Sequence, residues 1–398
     1  MINKVAGADI DKDFIHIAVR FNDETRIIDF VNDVNGLKDA VEFLSNLGVD
    51  RVVMESTGSF WIRLAEMLSE KGIGCVVLHP GDVKRIGAHK SDIRDAEWLL
   101  IIGEVGLISG SYIPPKIIRV LRTLTRARMR LSDRISSAKQ RILNLLYSRG
   151  IRLSAIGGIN SRLVRLVLET AVKNGSLGDV DDYVKKALGE IINALNEEER
   201  VLLGFYLAEL KMLEAMAGRY DALIRETAEP LMDKIKLLMS IPGIGFFTAV
   251  AIIAEIGDIN RFASPAKLAS YAGVVPRLNQ SGGRNRRSRL IKRSNRWLRR
   301  ALFLVARAAI NSKSRIVREF YTRLRRRGKH YLSAIIAVAR KLLVAVWHIL
   351  TKKTPWSENI KKISVPTTPL HGKRPSILAL VKLLISIDYS DVVSRTWR

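Results

Sequence analysis

Apolar and polar positions along this chain of 398 residues fall into three regimes. In the first hundred residues the period is short. Val5 to Phe21 and Thr25 to Val31 are dense in β-branched and aromatic residues and are broken at Asp11-Lys12-Asp13 and Asn22-Asp23-Glu24, which predicts two or three short strands joined by turns. Gly36 to Leu47 then sets Leu37, Val41 and Leu44 on one side of an amphipathic helix that Gly48 stops. Arg51-Val52-Val53-Met54 reads as a buried strand, Phe60 to Ser69 as a helix, Gly74 to Leu78 as a strand and Ser91 to Ile102 as a helix. From Leu121 the apolar positions repeat in heptads, Leu121, Leu124, Leu131, Ile135, Ala138, Ile142 and Leu145, with Arg128 as the charged intruder, the pattern of a helical hairpin or coiled-coil seam. Gly150 to Ser161 and Asn174 to Gly178 are loops, and Asp179 to Ile224 is again helical and more acidic. In the third regime Ile241-Pro242-Gly243-Ile244-Gly245 turns the chain, Ser264-Pro265 opens a helix that closes at Gly273, and Leu332 to Ile349 reads as an apolar packing helix.

These regimes divide the chain into residues 1–110, an α/β domain; 111–235, a helical coiled-coil insert; 236–350, a mostly helical domain; and a tail, 351–398. A hairpin followed by alternating strand and helix predicts a mixed sheet covered by helices, the order of a ribonuclease H-like fold.

Four acids fall where such a sheet would present them. Asp9 lies in the first strand, Glu55 directly follows Val52-Val53-Met54, and Asp92 and Asp95 stand three apart at the start of the last helix of the domain. Spacing of three puts two carboxylates on one helical face, roughly 5–6 Å apart at Cβ. Uncompensated they repel, and divalent cations remove that repulsion while clamping the oxygens of a phosphoryl transfer. Hard oxygen donors without cysteine favour magnesium or manganese over zinc. Spacing alone leaves Asp9, Asp11 and Asp13 as rivals, because turn chemistry accounts for any of them. It also allows Asp92 and Asp95 to be acids offsetting a helix dipole.

Charge changes the picture further. The chain carries 66 Lys and Arg against 39 Asp and Glu, a net charge of +27, which points to a nucleic-acid partner. Arg122, Arg126, Arg130 and Arg134 recur every fourth residue on one helix and predict a basic stripe against a phosphate backbone. Gly243 and Gly245 have the spacing of a helix-hairpin-helix turn, which would aim backbone N–H groups at phosphate. Ser281 to Arg300 holds nine Arg or Lys and no acid. There Ser281-Gly282-Gly283 offers a hydroxyl on a backbone that permits close approach, and Arg284, Arg286, Arg287, Arg289, Lys292 and Arg293 are placed to hold a scissile phosphate. Attack by a serine would store the bond energy in a phosphoserine for rejoining. Ser288 and Ser294 are rivals that composition does not rank. No apolar run reaches the roughly 20 residues a bilayer requires, the best being Ile377 to Ile387, so a membrane is not expected. A single cysteine, Cys75, rules out an internal disulfide, and a reducing cytoplasm is the expected location.

Gly7-Ala8-Asp9-Ile10-Asp11-Lys12, Met54-Glu55-Ser56-Thr57-Gly58 and Lys90-Ser91-Asp92-Ile93-Arg94-Asp95-Ala96 resemble the acidic blocks of the DEDD transposases of the insertion-sequence-one-hundred-and-ten type. The N-terminal domain of that family is similar to the RuvC Holliday-junction resolvase. Ala266 to Gly273, Pro276, Gln280-Ser281-Gly282-Gly283 and Lys292 to Arg300 are similar to the second domain of the same family. The resemblance implies a metal-binding tetrad of Asp9, Glu55, Asp92 and Asp95, magnesium or manganese as cofactor, and Ser281 as nucleophile. It further implies element and target DNA as substrates and a guide RNA transcribed from the element, while the distance in sequence between the acids and Ser281 predicts a homo-oligomer. A metal-dependent junction resolvase without serine chemistry and an inactive nucleic-acid-binding relative are the alternatives.

Overall fold

The computed structural model describes residues 4–22, 24–56, 58–86, 95–106, 110–275, 280–281, 284–285 and 294–357. The chain forms two compact units, Met1–Ile113 and Pro114–Arg398.

The first unit is built on one mixed sheet. Strands β1 (Val5–Ile10), β2 (Phe14–Phe21) and β3 (Glu24–Val31) form an antiparallel meander, while β4 (Arg51–Glu55) and β5 (Gly74–Leu78) join parallel to β1, giving the order β3-β2-β1-β4-β5. The connections carry α1 (Val34–Asn46), α2 (Trp61–Glu70) and α3 (Pro80–Ile86), and α4 (Asp95–Val105) completes the unit. Period-2 alternation sorts the strands onto two faces. Ala6, Ala8, Ile10, Val52 and Met54 pack in one core with Leu37, Leu44 and Leu64 of α1 and α2. Val5, Ala18 and Val53 pack in another with Ala96, Leu99 and Leu100 of α4. Gly7 and Asp9 of β1, being in phase with Val5, therefore face α4.

The second unit is helical. Its spine is α5 (Lys116–Ser148), 33 residues and about 50 Å long at 1.5 Å per residue. Helices α6 (Arg162–Val172) and α7 (Asp182–Ala194) precede α8 (Glu197–Thr227), which runs antiparallel to α5. The direction is fixed by a ladder of pairs, Arg128 with Asp221, Arg141 with Glu209 and Arg149 with Glu199, in which one number falls as the other rises. The heptad positions Leu131, Ala138 and Ile142 are buried against Leu203, Leu210 and Leu213, so the seam is real but its partner is three helices away in sequence. Arg128, the intruder, sits at the edge with Nε and Nη2 donating to Asp221 at 2.9 and 3.0 Å.

The remaining helices are α9 (Met232–Met239), α10 (Phe246–Ile256), α11 (Pro265–Ala272), α12 (Arg296–Ile310), α13 (Arg315–Arg326) and α14 (Tyr331–Lys352), with a short hairpin of β6 (Gln280–Ser281) and β7 (Arg284–Asn285). Ala249 to Ile256 of α10 are buried on all sides, which suits a helix apolar all round. The expectation that no long apolar run exists is corrected by α14. Its mean hydropathy over 18 residues reaches 1.8, because Arg340 and Lys341 interrupt it without lowering the average enough. Leu342, Leu343, Val346 and Ile349 of this helix are buried in the same core as α10 and α12.

Candidate active site

Two glycines let α4 lie directly on the sheet. A Cβ on Gly7 would stand 2.1 Å from the carbonyl oxygen of Ala96 and 2.3 Å from the nitrogen of Leu100, both backbone atoms of α4. A Cβ on Gly103 would meet the methyls of Val53 and Val5 at 2.5 and 2.7 Å. This approach brings the first residue of α4, Asp95, over the end of β1. Parallel pairing of Ala8 with Met54 sets Asp9 level with Glu55, the last residue of β4. Three of the four expected acids thus share one end of one sheet face. The consequence is measurable in Asp9, whose carboxyl is raised above the ordinary range by burial, then by the negative charge of Asp95, with Glu55 adding to it. Asp92 lies outside the described residues. Among the described residues no three His, Cys, Asp or Glu side chains come together closely enough to hold a metal ion.

The rivals of Asp9 have other work. Asp11 accepts from the backbone N–H groups of Asp13 and Phe14 at 2.7 and 2.6 Å and so closes the β1–β2 turn. Those two bonds hold its carboxyl below the usual range. His16, absent from the sequence expectations, pairs directly opposite Asp9 across the antiparallel ladder. Its Nδ1 lies 2.8 Å from Asp29 Oδ1 and its Nε2 3.6 Å from Asp11 Oδ2. The bond to Asp29, with Asp11 and Asp9 adding to it, pushes the imidazole above its ordinary value and favours a cation beside Asp9. Cross-strand pairing was the signal that could have found it.

In the second unit Ser281 pairs with Arg284 across the hairpin, and Gln280 with Asn285. Gly282, Gly283, Arg286, Arg287, Arg289, Lys292 and Arg293 lie outside the described residues, as does the rival Ser288. The described residues on either side of this segment are hydrogen-bonded to each other. Asn295 donates its backbone N–H to the Tyr271 carbonyl at 2.8 Å, and its side-chain amide donates to Tyr271 Oη at 3.0 Å and to Glu255 Oε2 at 2.8 Å. Its side-chain oxygen caps α12 by accepting from Trp297 and Leu298. Gly273 ends α11 with φ +68°, where a Cβ would also strike Ser294 Oγ at 2.3 Å, so Ser294 packs against the end of α11.

The basic stripe and the glycine turn differ from expectation. Arg126 forks onto Glu255, which is only 1% exposed, with Nε and Nη2 donating at 2.6 and 2.7 Å. Arg122 donates to the carbonyls of Ala254 and Glu255 at 2.6 and 2.9 Å, satisfying the C-terminal end of α10. These two arginines are therefore spent inside the fold, and the outward part of the stripe is Arg130, whose guanidinium lies 5.1 Å from the Trp297 ring centroid, and Arg134. Gly243, with φ +83°, abuts α12: a Cβ would come 2.5 Å from the nitrogen of Ala309 and 2.7 Å from the carbonyl of Val305. Its freedom is used for close packing against α12. Gly245 is exposed at the start of α10, and its N–H donates to Thr248 Oγ1 at 3.0 Å.

A family model described as "Transposase IS116/IS110/IS902 family" matches residues 235–322, and a second transposase model, of the DEDD type of IS110, matches residues 6–149. The chain belongs to the IS116/IS110/IS902 transposase family. It is 26% identical to a transposase for insertion sequence element IS1111A of Coxiella burnetii over 88% of this chain and 90% of that one. It is 27% identical to a probable family 20 transposase of Pseudomonas aeruginosa over 79% and 87%. A pilin gene-inverting protein of Moraxella bovis shares 35% identity over 33% of this chain and 41% of its own. In this member of the IS116/IS110/IS902 family the four acids fall in one matched segment and Ser281 in the other, while residues 150–234 lie outside both.

Proposed function

We propose that the chain is an insertion-sequence transposase that cuts and rejoins DNA strands, with Asp9, Glu55, Asp92 and Asp95 as its metal-binding acids and Ser281 as its nucleophile. The observation that carries the reading is that Asp9, Glu55 and Asp95 share one end of a sheet face, where burial first, and then the charges of Asp95 and Glu55, raise the Asp9 carboxyl. The strand order β3-β2-β1-β4-β5, with β4 and β5 parallel to β1, supports a ribonuclease H-like, RuvC-like first unit. A bound magnesium or manganese ion would neutralise these carboxylates and stabilise charge on the phosphate. In the reaction the Ser281 oxygen bonds to phosphorus as the bond to a sugar oxygen breaks, and that oxygen leaves as a hydroxyl with the serine proton. A sugar hydroxyl of the receiving strand then displaces serine by the reverse step, restoring one phosphodiester for each one broken. The guanidinium groups of Arg284, Arg286, Arg287 and Arg289, with Lys292 and Arg293, hold the phosphate. The family resemblance extends the proposal to a guide RNA from the element, and the distance in sequence between the acids and Ser281 extends it to a homo-oligomer.

The test is trapping on element-end DNA with magnesium, followed by denaturing electrophoresis. Wild-type protein is expected to give a protein–DNA adduct that Ser281→Ala abolishes, while Asp9→Asn loses cleavage altogether. Magnesium-dependent cleavage without any adduct would favour a simple nuclease and refute the serine step.

A further inference from the structure

Charges in the second unit are handled in two ways. Along α5 and α8 exposed cations are matched by acids, as in Arg128 with Asp221, Arg141 with Glu209, Arg149 with Glu199 and Lys139 with Glu214. Between Asp258 and Glu358, by contrast, there are 25 Arg and Lys and one acid, Glu319. That acid is already paired with Arg315 at 2.6 Å. Outside the serine segment, seven of these cations fall on α13 and its turn to α14, from Arg315 to Lys329. Its inner residues, buried Val317 with Ile316, Phe320 and Tyr321, pack on the C-terminal core. Its outer face carries Arg318, Arg323, Arg325 and Arg326, and the exposed turn to α14 adds Arg327 and Lys329. Among the described residues no acid lies within ion-pair distance of Arg326, Arg327 or Lys329.

Where this face meets α14, cations are crowded. The Phe320 ring has Arg323 and Lys341 each 5.5 Å from its centroid. Burial and the neighbouring Arg323 and Arg340 push the Lys341 ammonium down to about 8. A solvated helix face normally alternates sign, and one that repels itself is stabilised by a polyanion.

We infer that the outer face of α13, with the turn to α14, is a second nucleic-acid interface, separate from the serine segment, that grips phosphodiester backbone. The inference rests on the reading above that the chain works on nucleic acid. A lipid surface does not fit, because the apolar side of α13 is committed to the core. With no Asn or Gln on α13 there is no bidentate adenine reader, and its guanidinium groups suit phosphate oxygens.

The experiment is fluorescence anisotropy with the full chain on a labelled 30-base-pair duplex of arbitrary sequence, from about 50 to 200 mM KCl, with an RNA hairpin of equal length as a second arm. Each phosphate contact contributes about 0.9 to the slope of log affinity against log salt. The triple variant Arg326→Gln, Arg327→Gln, Lys329→Gln, which touches only exposed side chains, is expected to lower the slope by about 2.7. The advantage of wild type over the variant then shrinks roughly 40-fold across this salt range. Removing the same charge from the middle helices with Lys173→Gln, Lys185→Gln and Lys186→Gln is expected to change the slope by less than about 0.5. A larger effect on one arm identifies DNA or RNA as the occupant. If wild type binds and the two triple variants lose slope equally, or neither does, the α13 interface is overturned while the transposase reading stands. Failure of wild type to bind either nucleic acid removes both.

Discussion

The contact between α4 and β1 is the most exposed point of the structural argument, and Gly7→Ala tests it. The added Cβ would lie 2.1 Å from the Ala96 carbonyl oxygen, whereas ordinary contact begins at 3.4 Å. Both obstructing atoms belong to helix backbone and cannot rotate away, so α4 must lift by the difference, 3.4 − 2.1 = 1.3 Å. Overpacking of this kind costs about 1–3 kcal/mol, or roughly 5–15 °C of melting temperature for a domain of this size. The lift carries Asp95 with the helix and leaves Asp9 behind on the sheet. A displacement of about 1 Å at a reacting centre lowers rate on the order of 100-fold. Gly103→Ala is the milder comparison, because its Cβ meets the methyls of Val53 and Val5 at 2.5 and 2.7 Å and not helix backbone at 2.1 Å. The assays are thermal melting by circular dichroism and single-turnover cleavage of element-end DNA at saturating magnesium. A Gly7→Ala protein that melts within 1 °C of wild type and cleaves at full rate would refute the close-contact account, as would a Gly103→Ala protein more damaged than it.

Three other outcomes follow from particular side chains. Arg126→Met leaves the buried Glu255 without its bidentate partner and is expected to destabilise the protein by about 3–5 kcal/mol in urea unfolding, with Glu255→Gln recovering part of that in the double variant. Both ring nitrogens of His348 are buried without a hydrogen-bond partner, and burial holds its imidazole below the ordinary 6.5. The folded state thus binds fewer protons than the unfolded one, so stability is complete above pH 6.5 and falls as pH drops below it; a His348→Leu melting curve that is as steep in acid as wild type contradicts this. The Asp9 carboxyl is shifted the other way, above its ordinary 3.8, so its contribution to stability is present when protonated and is lost as pH rises through the raised value. Asp9→Asn is therefore expected to melt higher than wild type at pH 7 in chelator while losing cleavage, and a lower melting temperature speaks against crowding at the acid set.

What the chain disclosed in advance followed the range of the forces involved. Strand and helix order was legible because period 2 and period 3.6 are written locally, and Asp9 and Glu55 could be placed on a sheet because each ends a run of such positions. The α5 heptad predicted a seam but not that α8 would fill it, since nothing in Leu131 or Ile142 names a partner some seventy residues away. The Arg122 to Arg134 stripe was misread in half for the same reason. Glu255 lies 129 residues from Arg126, and a regular row of arginines looks identical whether its partner is phosphate or a buried carboxylate. Gly243 shows the matching ambiguity for backbone, because a glycine that admits a phosphate and one that admits the backbone of α12 need the same positive φ. His16 was missed although strand pairing was available, because only the register of β1 against β2 puts it opposite Asp9.

The two readings share one electrostatic logic of opposite sign. Asp9, Asp95 and Glu55 crowd negative charge at one end of a sheet face, and Arg323, Arg340 and Lys341 crowd positive charge where α13 meets α14. In a chain selected only for folding each cluster would be diluted, as the α5–α8 ladder shows it can be, because like charges held together weaken the isolated protein. Keeping both clusters makes sense when the partners arrive from outside and bind the folded state alone, since such binding adds stability in proportion to the logarithm of its occupancy. On the readings proposed above, a divalent cation answers the first cluster and a phosphodiester backbone the second.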